Sequence, residues 1–111
     1  MPLPTQETRL RAEAVELYPD RKDPEKGRRF EEICQKLEQL HRERIKKMSD
    51  KTLAARGHAA WINHSVEHIV GDRIWEIYRE AIKNRDMSLA AVRTSGEVDK
   101  IAIKPDPALR G

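Results

Sequence analysis

The densest chemical signal in this chain lies between Gly57 and Asp72, a stretch that contains three of its four histidines, His58, His64 and His68. His64 and His68 are four residues apart, so on an α-helix their rings share a face and could close on one metal ion. Asp72 follows four residues later, at the edge of the same stripe, which makes His64, His68 and Asp72 a candidate metal-ligand set. A metal-binding helical protein is therefore one alternative reading of the sequence, and nothing outside this stripe calls for a cofactor.

The segment His64-Ser65-Val66-Glu67-His68 also fits the H-x-x-E-H pattern of inverted zinc peptidases. Such an enzyme needs a further carboxylate ligand on another element and a substrate cleft, and a chain of 111 residues leaves little room for either. No nucleophile is paired with a base and an oxyanion donor elsewhere, so the sequence reads as non-enzymatic. Cys34 is the single cysteine, which excludes an intramolecular disulfide and any cysteine-based zinc site. With no adjacent base it reads as a small buried side chain.

Arg56, Asn63 and Glu67 fall on one line of the same helical pattern, with His64 beside them. An unpaired carboxylate in an apolar arc is costly, so these four are expected to satisfy one another as a buried polar network that fixes helix register. Trp61 and Trp75 lie two heptads apart on the flank that carries His68. Tryptophan is enriched at interface hot spots, and this pair is a candidate interaction surface.

Helices must hold these groups in place. Thr5 is a plausible N-cap for a short helix over about 5–18, whose apolar face is Leu10, Ala14 and Leu17. Pro19 and the run through Pro24 stop it. Asp23-Pro24 then reads as an N-cap followed by proline at the first helical position. Phe30, Ile33, Leu37 and Leu40 recur at steps of three and four, a narrow seam of the coiled-coil kind on a helix over 24–48. Ser49 or Asp50 caps the next pattern, which runs over 51–84 through Leu53, Ala60, Ile62, Val66, Ile69, Val70, Ile74, Ile77, Tyr78, Ala81 and Ile82. At the ~100° per residue of an α-helix, these cover more than half the circumference. A helix so broadly apolar is covered on more than one side, by the first helix or by a second protomer.

Asn84 to Asp86 ends that pattern, Ser88 can cap a short helix through Val92, and Thr94 to Gly96 reads as a turn. Val98, Ile101 and Ile103 suggest a short strand or extended segment, and residues 1–4 and 105–111 read as irregular ends. The expectation is a single all-α domain over 1–111, built on a long antiparallel helical hairpin of 24–48 and 51–84.

Charged residues make up 37% of the chain and apolar ones 38%, a lean core under a dense, mixed-sign surface. The net charge of +3 is spread without a run of like sign, so there is no basic arm of the nucleic-acid type. Met1 to Leu10 has no apolar core of a signal peptide, and no apolar run approaches the ~20 residues of a membrane span. The expected setting is the cytoplasm, away from membranes. The preferred function is a helical interaction protein, an adaptor, assembly subunit or inhibitor-like module. It would bind a protein partner or a second copy through Phe30, Ile33, Leu37, Leu40, Trp61 and Trp75. The nucleic-acid alternative uses Arg28, Arg29, Arg42, Arg44, Lys46 and Lys47, or a helix-turn-helix built from Ser88 to Ile103. Gly96 sits one place off the usual spacing for that motif, and Pro105 shortens its second helix.

Overall fold

The computed structural model describes residues 5–94. They form five α-helices: α1 (Gln6–Leu17), α2 (Pro24–Lys46), α3 (Asp50–Val66), α4 (Gly71–Asn84) and α5 (Leu89–Thr94), with a 3₁₀ turn at Tyr18–Asp20. The all-α fold class holds, and among the described residues there is no strand. The extended segment expected at Val98 to Ile103 and the irregular ends lie outside these residues.

Local chemistry sets the helix starts. Thr5 accepts the Thr8 N–H, Asp23 the Lys26 N–H, Ser49 the Thr52 N–H and Ser88 the Ala91 N–H, each supplying an orphan donor of a first turn. Pro24 opens α2, where its missing N–H costs nothing. At the end of α4 the Met87 N–H reaches back to the Ile82 carbonyl and the Asp86 N–H to Lys83. This is a Schellman closure, with Asp86 in the left-handed region at φ 56°.

The segment 51–84 is not one helix, which corrects the expected hairpin. It breaks at residues 67–70, where Glu67 turns its carboxylate onto the backbone of the next helix. Oε1 accepts the N–H of Ile69 (2.5 Å) and of Val70 (2.9 Å), and Oε2 that of Gly71 (2.8 Å). Gly71 lets the two helix ends close up, since a methyl there would lie 3.1 Å from the His64 Cα. The antiparallel pair is therefore α3 with α4, and Gly57 packs opposite Ile82 at its other end.

α1 lies antiparallel on α2, tied by Arg29 to Glu13 at one end and by Arg44 to Glu7 at the other. α4 runs parallel to α2: Arg73 meets Glu38, Tyr78 meets His41, and Arg85 meets the Ile45 and Met48 carbonyls, in the same order along both helices. Ile33, Leu37, Leu53, Val70, Ile82 and Val92 are fully buried between these layers. α5 closes over α3, with the Val92 carbonyl bonded to the His58 ring at 2.8 Å.

Candidate functional site

Two surfaces of α3 combine unusual chemistry with exposure. The first is a groove of about 530 Å³ where α3, α4 and α5 meet, lined by Trp61, His64, His68, Asp72, Trp75, Glu76, Arg79 and Arg93. The Trp61 and Trp75 rings lie 5.1 Å apart at 61°, and the His64 ring sits 4.4 Å from Trp61 and 5.8 Å from Trp75. The Arg93 guanidinium lies over them, 4.5 Å from the centre of Trp61 and 5.9 Å from that of Trp75.

Hydrogen bonds fix both histidine rings. His64 Nδ1–H donates to the Trp61 carbonyl at 2.5 Å, and His68 Nδ1–H donates to Asp72 at 3.2 Å. Arg79 pairs with Glu76 at 3.3 Å, whereas Arg93 has no carboxylate within ion-pair distance among the described residues.

The second surface is a stripe on the outer face of α3. Ala55, Ala59, Ile62 and Val66 follow one another at steps of four, three and four, and all are exposed. Ile62 is 51% exposed and Val66, the last residue of α3, 80%; only Val15, at 43%, is a comparably open large aliphatic side chain among the described residues. From Lys51 to Val66 the helix carries no acidic residue, and no carboxylate bridges Lys51 or Arg56 among the described residues.

The expected polar network does not assemble. Arg56 is exposed, Asn63 and His64 are half-buried, and Glu67 bonds to backbone and lies 3.8 Å from Arg11. The break at residue 67 takes Glu67 off the line that it was expected to share with Arg56 and Asn63. Of the expected interaction residues, Phe30, Ile33, Leu37 and Trp75 are buried in the chain's own core, Leu40 is half-buried, and Trp61 stays half-open on the groove. His68 lies in the break after α3, so the expected shared helix face does not form, although the His64 and His68 ring centres are 6.4 Å apart. Asp72 meets His68 on Nδ1, and no three His, Cys, Asp or Glu side chains among the described residues gather around a common point.

The basic patch on α2 is largely answered by acids. Arg29 bonds Glu13, Arg44 bonds Glu7 and Lys46 lies 3.7 Å from Glu43. Arg42 shares a groove with Glu38, Glu76 and Glu80, so neither it nor Lys46 faces solvent as part of an uninterrupted positive field. Arg28 and Lys47 are exposed.

One buried polar cluster has no counterpart in the sequence reading. His41, 5% exposed, donates Nε2–H to Glu7 at 3.0 Å and accepts the Tyr78 hydroxyl at Nδ1, 2.9 Å away. Burial holds the His41 pKa below its ordinary 6.5, against the pull of Glu7. Burial pushes Glu7 up, but the Arg44 hydrogen bond and the neighbouring charges outweigh it and leave Glu7 lowered. Tyr78 is buried too, which raises its pKa and denies it a substrate. The cluster fastens α1 to α2 and α4. A signal for it existed: His41 falls four residues after Leu37 and four before Ile45, in line with the seam. Arg93 had no such signal.

No protein family, characterised protein or solved structure matches this chain. No described helix is long and apolar enough to cross a membrane.

Proposed function

We propose that this chain is a non-enzymatic helical interaction module that docks a protein partner along the outer stripe of α3. The carrying observation is the exposure of Ile62 and Val66 in an aliphatic row otherwise made of small residues. A ridge of small and branched side chains on a rigid helix suits a groove or helix face, with the larger pair as anchors. Charge selects the partner. Lys51 and Arg56 flank the row, and the one acid of α3, Asp50 in its first turn, is engaged by Arg85, which favours an apolar surface edged with carboxylates and disfavours a second copy of the same cationic helix.

The test is a photo-crosslinking amino acid at position 66, compared with one at the exposed Gln35 on α2, in cells that express the chain. A discrete adduct at 66 that is absent at 35, and lost in an Ile62→Asp background, supports the reading. The adduct's partner should also detach from the purified chain as salt rises. An adduct of twice the chain mass would instead assign the stripe to self-association. Crosslinks equal at both positions would refute a dedicated face, and salt-sensitive binding to duplex DNA would move the stripe to the nucleic-acid reading.

A further inference from the structure

We infer that the groove between α3, α4 and α5 is a receptor for an organic cation, a guanidinium or alkylammonium group, and that Arg93 is its resident occupant. This goes beyond the proposed docking stripe and does not depend on it. Trp61, Trp75 and His64 pack on one another, with ring centres 5.1, 4.4 and 5.8 Å apart, and make an aromatic box whose open face is that of Trp61, since Trp75 is 4% exposed. Aromatic faces carry negative electrostatic potential and attract cations that lie over them. A guanidinium is already seated there, 4.5 Å from the Trp61 centre.

The charge around the box points the same way. Asp72 and Glu76 line the groove against the single guanidinium of Arg79, so that without Arg93 its carboxylates outnumber its guanidinium two to one. A phosphate or carboxylate ligand would meet those two carboxylates, whereas a cation is drawn by them. Arg93 itself is exposed, and no carboxylate bridges it among the described residues. Among the described residues, its contacts in the groove are with the Trp61 and Trp75 rings, which a rotamer change releases. α5 keeps its own anchors when Arg93 swings out: the Ser88 cap, the His58 bond to the Val92 carbonyl, and the buried Val92 side chain. The competing cation could be a small free amine or an arginine or lysine side chain of a bound peptide, because both present the same chemistry to the box.

Both tryptophans of the chain line this groove, so intrinsic fluorescence reports on it directly. Arg93→Met removes the resident charge and keeps the aliphatic stem. Wild type and variant are titrated with tetramethylammonium chloride and with the peptide Gly-Arg-Gly amide, against sodium chloride at matched ionic strength. The variant should give a saturable change with either cation, at half-saturation roughly tenfold or more below wild type, because the internal competitor is gone. Adding Asp72→Asn and Glu76→Gln should weaken that binding about threefold or more. Tighter binding of tetramethylammonium assigns the site to free amines, and tighter binding of the peptide assigns it to a partner's side chain. A folded variant that shows no saturable response to either cation overturns the inference. If circular dichroism shows Arg93→Met unfolded, the wild-type indole N–H resonances are followed by NMR at high tetramethylammonium. Concerted movement of the two supports the box, and stationary resonances overturn it.

Discussion

Replacing Glu67 by alanine separates a broken helix from a continuous one by the sign of the effect. In the structure the carboxylate accepts three backbone N–H groups, those of Ile69, Val70 and Gly71, at 2.5, 2.9 and 2.8 Å. Val70 and Gly71 are buried residues, so water replaces the lost acceptor poorly. A buried donor left unsatisfied costs about 1–3 kcal/mol, and loss of a helix cap alone costs about 0.5–2 kcal/mol. Because these contributions overlap, Glu67→Ala should destabilise the fold by about 2–3 kcal/mol. In a domain of this size that lowers Tm by roughly 10–20 °C. Glu67→Gln keeps one acceptor oxygen and should cost about 1 kcal/mol. The Arg11 contact at 3.8 Å is half-exposed and contributes little, so Arg11→Met serves as a control within about 0.5 kcal/mol of the parent. Urea unfolding followed by tryptophan fluorescence at fixed pH measures all three variants. On an unbroken helix, alanine is the better helix former and the substitution would be neutral or stabilising. A Glu67→Ala protein as stable as its parent would therefore refute the capped break.

The Glu7–His41–Tyr78 cluster should make the fold acid-sensitive in two stages. With the folded His41 pKa below 6.5, the unfolded chain takes up a proton first as pH falls, so stability drops from pH ~6.5 downward toward the folded value. The folded Glu7 pKa lies below 4.5, so its contribution is present above that and is lost as pH falls through the folded value. Thermal melts at stepped pH should show both stages in the parent, and His41→Gln should abolish the first and reduce the second, which the Arg44 hydrogen bond sustains. Arg85 donates to the Ile45 and Met48 carbonyls at the end of α2 and to Asp50 at the start of α3, at 2.9, 2.9 and 3.0 Å. Arg85→Met should lower the urea-unfolding free energy by about 2 kcal/mol, and a change under about 0.5 kcal/mol would show that water substitutes for it. Asp86 sits at φ 56°, where a Cβ is penalised, so Asp86→Gly should stabilise by about 0.5 kcal/mol in the same assay.

What could be read in advance follows from how local each determinant is. Thr5, Asp23, Ser49 and Ser88 cap helices through bonds to residues three positions away, so sequence neighbourhood alone places them. The seam through Phe30, Ile33 and Leu37 was legible because one helix face must be apolar to be buried. The interaction role given to that seam was a different matter, since periodicity says a face is covered without saying by what, and α1 and α4 of the same chain cover it. Glu67 was the hardest residue to place. It continues the helical pattern on both sides and acts by reaching forward to the backbone of Ile69, Val70 and Gly71. The His41 and Arg93 contacts depend on Tyr78, Glu7 and Trp61, partners brought close only by the tertiary fold.

The break at Glu67 also changes how much surface is left for a partner. Projected as one helix, 51–84 has apolar residues over more than half its circumference, a width that calls for cover by the first helix or by a second protomer. Divided at residue 67, the two halves have separate axes and separate inner faces. Leu53, Ala54 and Gly57 of α3 turn inward, as do Ile74, Trp75, Ile77, Tyr78 and Ile82 of α4, so the chain covers most of the apolar surface itself. What remains is the single row Ala55, Ala59, Ile62 and Val66. A partner that docks there gains a narrow ridge rather than half a helix, which favours a reversible contact steered by Lys51 and Arg56 over an obligate assembly. Sedimentation of the purified chain follows from this: it should run as a monomer at micromolar concentration, and a stable dimer would show that the ridge is wider in solution than its four residues imply.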